Sequence, residues 1–155
     1  FKDDPLLTIE ALHRHNGVLF CRPGHPLLQR AHLHLHDVLD YPLAGTQLPQ
    51  AVEHSLIAAS GRAQPLSIQC DNFMVLKTLV GNSDVLSMAP WDVLAEDIHN
   101  GRLALLPLAH GALSEQSAYG LVSRAGHSLS PAALAMRAAI LEEDRSVSPQ
   151  QNRPT

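Results

Sequence analysis

The segment at 65–108 decides the fold of this 155-residue chain, and its first helical stretch is Asp71-Asn-Phe-Met-Val-Leu-Lys-Thr-Leu-Val-Gly81. Phe73, Leu76 and Val80 fall at i, i+3 and i+7, so they share one face of a helix. Asp71 stands where a side chain can accept hydrogen bonds from the first N–H groups of that helix. The stretch therefore predicts an amphipathic helix that begins beside Asp71 and ends at a glycine suited to the left-handed conformation.

Short apolar runs and further helical spacing alternate around this helix. The runs at 65–70, 85–88 and 103–106 are too short for helices and are bounded by helix-breaking residues, which is typical of buried strands. Between the last two runs, residues 91–98 repeat the helical spacing, and Asn100-Gly101 follows them as a stop signal. The succession is βαβαβ, and it predicts a parallel sheet covered by helices.

The rest of the chain carries the same two kinds of pattern. It predicts strands at 18–21, 41–44 and 118–123 and helices at 49–59 and 131–141. Pro49 and the pair Ser130-Pro131 are start signals for the two helices. From Asp144 onward the chain is polar and rich in Pro and Gln, and we expect this tail to be disordered.

The composition is that of a globular domain without a strong attraction for polyanions. Hydrophobic residues make up 45% of the chain, charged residues 17%, and the net charge is −4, which excludes a charge-driven grip on DNA or on an anionic membrane. Cys21 and Cys70 lack the spacing of a metal or redox motif, so we predict two buried thiols in a reducing cytoplasm. The chain begins at Phe1 rather than Met, and we expect it to be a piece of a longer protein.

Three motifs stand in the same order as in one family of regulators. Gly24-His25-Pro26-Leu27 follows an apolar strand, Leu35-His-Asp-Val-Leu-Asp-Tyr-Pro-Leu43 comes next, and Gly101-Arg-Leu-Ala-Leu-Leu-Pro107 follows the last helix of the βαβαβ succession. Together they resemble the effector-binding domain of LysR-type transcriptional regulators. That family often has two glycines in the turn before a short strand, where this chain has Ser83 and Val85.

The resemblance covers residues 6–142 and implies an α/β fold. This fold is like that of type II periplasmic binding proteins, with two Rossmann-like lobes and mixed sheets. The implied division is part of the first lobe at 1–43, the second lobe at 44–116, the return to the first lobe at 117–143 and a disordered tail at 144–155. Compared with the family, the first lobe is incomplete in this chain, and the N-terminal winged helix-turn-helix domain and its linker helix are absent from it.

The candidate effector-binding residues follow two of the predicted strands. Thr46 and Gln47 lie just past the strand at 41–44, and Asn72 and Phe73 lie at the helix start that follows the apolar run before it. In doubly wound sheets, ligands bind at the carboxyl ends of strands, where helix N-termini present N–H groups. The resemblance implies that the same two places line the effector cleft between the lobes. Turn formation and capping would explain the polar residues equally well, and core packing would explain Phe73.

The resemblance also implies a function. The chain would be the ligand-sensing domain of a bacterial, cytoplasmic, DNA-binding transcription regulator, in which a small-molecule effector shifts the population of lobe arrangements and so changes how the DNA-binding domains are presented. It implies self-association as a dimer or higher oligomer, contact with DNA only through the winged helix-turn-helix domain, and neither a membrane partner nor a cofactor.

No catalytic signature is present, because Gly-x-Ser-x-Gly, His-Glu-x-x-His and a phosphate-binding Gly-rich loop are all absent. We therefore expect no catalytic residues and no enzyme activity. One alternative is a stand-alone solute-binding protein of the same fold. Another is a metal enzyme, because His32, His34 and His36 stand at strand spacing with Asp37 beside them and could bind zinc or nickel. We expect no metal site, since the ligands of such sites usually come from different elements.

Overall fold

The computed structural model describes residues 4–108 and 119–146. The chain divides into two compact units. Unit 1 comprises Phe1–His15 and Ser117–Thr155, and unit 2 is the continuous segment Asn16–Gln116.

Seven strands and five α-helices lie within the described residues. The strands are β1 (Leu7–Ala11), β2 (Gly17–Cys21), β3 (Leu43–Gly45), β4 (Ile68–Gln69), β5 (Leu86–Pro90), β6 (Ala104–Leu105) and β7 (Gly120–Arg124). The helices are α1 (Leu35–Leu39), α2 (Gln50–Ser60), α3 (Phe73–Gly81), α4 (Trp91–His99) and α5 (Pro131–Ser146). The helices predicted from sequence spacing at 49–59, 71–81, 91–98 and 131–141 are confirmed as α2 to α5, with small differences at their ends.

Unit 2 is built on a mixed five-stranded sheet in the order β4-β3-β5-β2-β6. β3 pairs in parallel with both β4 and β5, whereas β2 is antiparallel to both of its neighbours, β5 and β6. The predicted parallel pairing is thus confirmed for β4, β3 and β5. The position of β2 between β5 and β6 was not predicted. An apolar run indicates that a strand is buried, but it does not indicate which strands it pairs with.

The boundary between the units lies after His15 and not after residue 43, where the family pattern had placed it. Phe20 of β2 pairs with Ser87 of β5 on one side and with Leu105 of β6 on the other. This strand is therefore an interior strand of the unit 2 sheet. The expectation that residues 1–43 form one lobe fails for residues 16–43 for this reason.

Helices cover both faces of the unit 2 sheet. Successive strand residues point to opposite faces, so β2, β3 and β5 each contribute side chains to two separate core clusters. Leu43 and Leu86 face one cluster, which includes Leu56 of α2. Phe20 and Ala44 face a second cluster, completed by residues of α3 and α4 that include Leu76, Val80 and Leu94. Leucine side chains buried as fully as these contribute roughly 1.5–3 kcal/mol each to stability.

Unit 1 contains the antiparallel pair β1–β7, in which Leu7 lies opposite Arg124, together with α5. Arg137 of α5 donates two hydrogen bonds of 2.7 Å to the two carboxylate oxygens of Glu10 in β1. Two charge-assisted hydrogen bonds of this kind are stronger than neutral ones, and they link α5 to β1. Residue 118, the predicted start of the returning strand, lies outside the described residues.

Helix α5 continues to Ser146, so residues 144–146 are helical and not part of a disordered tail. Both carboxylate oxygens of Asp144 lie 3.1 Å from the backbone N of His13, and Oδ2 is 2.7 Å from the ring Nδ1 of the same residue. Asp144 therefore ties the last turn of α5 to the segment that follows β1. Residues 147–155, the rest of the predicted tail, lie outside the described residues.

Candidate functional site

The candidate site lies at the edge of the unit 2 sheet where the parallel strands β3, β4 and β5 end; we call it the carboxyl edge. Gly45, the last residue of β3, pairs with Gln69, the last residue of β4, and the Gly45 carbonyl accepts a hydrogen bond of 3.0 Å from the backbone N–H of Cys70. Residues that follow these two strands therefore emerge side by side. This brings the segment at Thr46 to the same edge as the start of α3.

Thr46 and Gln47 follow β3 directly. Thr46 is half-buried and Gln47 is exposed. The Thr46 hydroxyl oxygen lies 3.5 Å from the backbone carbonyl oxygen of Gln47, which is long for a hydrogen bond between two oxygens. The hydroxyl thus keeps most of its capacity to donate to and accept from a ligand.

Asn72 has a structural role that the sequence pattern had assigned to Asp71. It is the N-cap of α3, and its side-chain Oδ1 accepts hydrogen bonds from the backbone N–H groups of Met74 at 2.9 Å and Val75 at 3.3 Å. The expectation that Asp71 caps this helix is wrong, because the helix begins one residue later than such a cap requires. Within the described residues the Asn72 Nδ2 has no partner, so one end of the amide caps the helix and the other can donate to a ligand.

Phe73, the first residue of α3, packs against the core cluster that contains Phe20 and Leu76. Its side chain is half-buried. The two roles considered for this residue are therefore compatible, because the side chain packs on the core and is still partly exposed.

Acidic residues accompany the three helices that begin at this edge. Glu53 lies in the first turn of α2, Asp92 lies in the first turn of α4, and Asp71 immediately precedes the N-cap of α3. Oδ1 of Asp92 is buried and has no hydrogen-bond partner within the described residues. Sequence reasoning had noted Asp71 but missed the other two, although an acidic residue in a first helical turn is a readable signal.

The three closely spaced histidines do not form a strand. His34 is the N-cap of α1 and His36 lies inside that helix, with its ring stacked on the ring of His34 at a centroid distance of 5.5 Å. The buried carboxylate of Asp37 accepts a hydrogen bond of 2.8 Å from the backbone N–H of His34 and forms an ion pair with Arg30. Across the described ranges, no group of three His, Cys, Asp or Glu side chains converges as a metal site would require.

The Gly-His-Pro-Leu motif is structural. His25 is fully buried, its Nδ1 accepts a hydrogen bond of 3.2 Å from the backbone N–H of Leu27, and its Nε2 lies 3.4 Å from the carbonyl oxygen of Asp84. Arg22 forms an ion pair of 2.8 Å with the Asp84 side chain. The motif thus fastens the end of β2 to the residue that leads into β5, at the edge of the sheet opposite the candidate site.

The two cysteines differ in their surroundings. Cys21 is fully buried in β2, and this burial raises the pKa of its thiol to about 11. Cys70 is half-buried at the carboxyl edge, and its Sγ lies 3.9 Å from the carbonyl oxygen of Asn72. Only the first of the two fits the prediction of a fully buried thiol.

Comparison with known proteins identifies the family of this chain. The family model of the LysR substrate binding domain matches residues 1–145. The chain belongs to the LysR substrate-binding domain family. The resemblance inferred from the three sequence motifs is therefore confirmed.

Curated relatives in this family are named as transcription regulators. The SDS degradation transcriptional activation protein of Pseudomonas sp. is 59% identical over 150 residues, which are 96% of this chain and 49% of that protein. The HTH-type transcriptional regulator GalR of Pseudomonas putida is 34% identical over 138 residues, which are 86% of this chain and 34% of that protein. The chain thus spans half or less of the length of these relatives.

Solved LysR effector domains share the fold. The effector domain of the regulator AmpR from Pseudomonas aeruginosa superposes with a TM-score of 0.67 at 20% identity, over 97% of this chain and 70% of that chain. The effector binding domain of QuiR, solved in complex with shikimate, gives 0.64 at 17% identity, over 95% of this chain and 69% of that chain. The predicted α/β fold, like that of type II periplasmic binding proteins, is thereby confirmed. No helix in the described ranges is long and apolar enough to cross a bilayer.

Proposed function

We propose that this chain is the ligand-sensing domain of a LysR-type transcriptional regulator and that it binds a small-molecule effector at the carboxyl edge of unit 2. The observation that carries the proposal is the match of the LysR family model to residues 1–145. The geometry supports the location, because ligands of open α/β sheets bind where parallel strands end and helices begin.

Four residues would contact the effector. The hydroxyl of Thr46 and the amide of Gln47 supply donors and acceptors, and Nδ2 of Asn72 supplies a donor while its Oδ1 keeps the helix capped. Phe73 would supply an apolar wall from its accessible side. A few convergent polar groups beside an apolar surface are typical of small-molecule sites.

The complete protein would act through domains outside this chain. In the proposal, a winged helix-turn-helix domain binds DNA, the regulator self-associates as a dimer or higher oligomer in the bacterial cytoplasm, and the effector shifts the population of conformations that present the DNA-binding domains. It would use no cofactor and catalyse no reaction. The relatives named as transcription regulators support this assignment.

The most similar of the relatives described above suggests the kind of effector. Its name refers to the degradation of SDS, a molecule with a twelve-carbon alkyl chain. We therefore propose that the effector of this chain is an alkyl compound related to such a surfactant. An alkyl chain would use the apolar side of the site, and the polar residues would recognise its head group.

A pair of threonine variants tests the site in the full-length regulator. Thr46→Val removes the hydroxyl with little change in shape, and we expect effector affinity to fall about fivefold to tenfold, the size of one hydrogen bond. Thr78→Val is the matched control, because the Thr78 hydroxyl donates to the Met74 carbonyl within α3 at 2.9 Å. Unchanged affinity in both Thr46→Val and Gln47→Leu would remove this edge from the effector site.

A further inference from the structure

The carboxyl edge of unit 2 has a one-sided distribution of charge. The three acidic residues Glu53, Asp71 and Asp92 accompany the starts of α2, α3 and α4. A helix N-terminus carries a partial positive charge of roughly half a unit, which attracts anions. Here each of the three N-termini has a carboxylate beside it. The partial positive charge of the helix N-termini, which would normally attract an anion to this edge, is therefore offset by the three carboxylates.

The positive side chains of unit 2 are placed elsewhere. Its sequence contains five arginine and lysine residues: Arg22, Arg30, Arg62, Lys77 and Arg102. Four of them are ion-paired with carboxylates in the described residues, to Asp84, to Asp37, to Asp97, and to Asp97 together with Glu96.

The chain order places most of these cations away from the carboxyl edge. Arg22 follows β2, which runs antiparallel to β5, and Arg102 precedes β6, which is antiparallel to β2, so both lie at the opposite edge of the sheet. Arg62 follows the end of α2 and precedes the start of β4. Lys77 lies in the middle of α3, where its Nζ is 2.7 Å from the Asp97 carboxylate of α4.

From this arrangement we infer that the effector meets unit 2 through an uncharged hydroxyl group, and that the ligand is an aliphatic alcohol rather than the corresponding sulfate or carboxylate. The inference rests on the proposed function and specifies the ligand class of the same site. A sulfate or carboxylate head group would lose hydration beside the carboxylates that accompany these helix starts, and the arginine and lysine side chains of unit 2 are placed elsewhere. A hydroxyl can accept a hydrogen bond from Nδ2 of Asn72 and can donate one to the side-chain oxygen of Thr46 or Gln47.

Three compounds with one alkyl chain test the inference on the full-length regulator. The probes are 1-decanol, sodium decyl sulfate and decylammonium chloride, each below its solubility or micelle limit, and binding is measured by calorimetry and by the shift in thermal unfolding. We expect 1-decanol to bind at least tenfold more tightly than decyl sulfate. It should also bind more tightly than decylammonium, because an ammonium group has no lone pair to accept a hydrogen bond from Nδ2 of Asn72. Tighter binding of decyl sulfate or of decylammonium would overturn the inference, and so would the absence of alcohol binding.

A charge reversal at the edge provides a second test. Asp71 is exposed, and Asp71→Lys should raise the affinity for decyl sulfate about fivefold while leaving the affinity for 1-decanol nearly unchanged. The control is Asp40→Lys, because Asp40 is equally an exposed aspartate but lies at the C-terminal end of α1. Equal responses of the two variants would show that the edge does not sense the head group.

The same series distinguishes failure of the inference from failure of the proposed function. If decyl sulfate binds most tightly and Thr46→Val weakens it, the edge is an effector site for an anion, and only the inferred ligand class is wrong. If every compound binds equally well to the wild type, to Thr46→Val and to Gln47→Leu, the proposed location is wrong as well.

Discussion

The side-chain Oδ1 of Asn72 accepts a hydrogen bond of 2.9 Å from the backbone N–H of Met74, so a residue proposed to contact the effector also caps the helix behind it. The two tasks use different atoms of the amide, since only the oxygen is needed for the cap. A substitution can therefore remove the ligand contact without removing the cap. This separation makes the role of Asn72 testable.

Asn72→Asp and Asn72→Leu should have different effects. Aspartate keeps the capping oxygen, so its free energy of unfolding should stay near that of the wild type, while leucine should lose about 1 kcal/mol, the usual cost of a lost N-cap. Both variants lack the Nδ2 donor and should bind the effector more weakly. Urea unfolding and effector titration measure the two properties. An aspartate variant with wild-type affinity would show that Nδ2 does not contact the effector.

The ion pairs at Asp97 should make stability depend on pH. Its carboxylate lies 2.7 Å from Nζ of Lys77 and 2.6 Å from Nε of Arg102, and the hydrogen bond from Lys77 is the main cause that lowers the pKa of Asp97. The pKa in the folded state is thus below the unfolded value of about 4. The stabilisation is fully present above that value and is lost as the pH falls through the folded pKa.

Asp97→Asn removes this contribution, and we expect it to lower the free energy of unfolding at pH 7 by about 1–3 kcal/mol. The difference from the wild type should shrink below about pH 4. Glu96→Gln is the control, because the Glu96 side chain is 81% exposed and solvent screens its pairing with Arg102, so the change should have little effect on stability. A constant difference between pH 7 and pH 3 would contradict the assignment.

Replacement by alanine should lower the stability of the domain at Ser83 but not at Ser87. The Ser87 hydroxyl is fully buried without a hydrogen-bond partner among the described residues, so Ser87→Ala should leave stability unchanged or raise it by up to about 1–2 kcal/mol. The Ser83 hydroxyl donates to the Leu79 carbonyl at 2.7 Å, and Ser83→Ala should cost about 1 kcal/mol. Chemical denaturation of both variants checks the pair. A large loss in Ser87→Ala would mean that this hydroxyl has a partner.

The two thiols should differ in reactivity. With a pKa of about 11, Cys21 is a thiolate in roughly one molecule in a thousand at pH 8, and its side chain is fully buried. A disulfide reagent should therefore label one thiol per folded chain quickly and the second only after unfolding. Cys70→Ser should abolish the fast phase, and Cys21→Ser should preserve it. Two fast equivalents in the wild type would contradict this difference in burial.

Local sequence patterns were sufficient to locate the helices and the strand ends that carry the candidate site. The spacing of Phe73, Leu76 and Val80 predicted α3 because helical periodicity is a property of neighbouring residues. The same reasoning placed the ends of β3 and β4 close to their positions in the structure. The prediction that Thr46, Gln47, Asn72 and Phe73 bind the effector stays a prediction until it is tested in solution.

Structural features that depend on contacts between distant parts of the chain could not be predicted from local sequence patterns. The position of β2 between β5 and β6 depends on partners far along the chain, and so the boundary after His15 could not be derived from an apolar run. The end of α5 was missed for a similar reason, since Asp144 looks like a solvated acid unless its contact with His13 is known. The spacing of His32, His34 and His36 suggested a strand, whereas local capping by Asp37 starts a helix there.

The pairing of β1 with β7 has a consequence for how the chain folds. Unit 2 lies in sequence between these two strands, so their pairing closes a loop that contains an entire sheet. Closing a longer loop costs more conformational entropy, and folding of unit 2 removes most of the flexible residues from this loop. Folding of unit 2 should therefore precede the β1–β7 pairing, and refolding kinetics should contain a late phase that substitutions in β1 slow and substitutions in α2 do not.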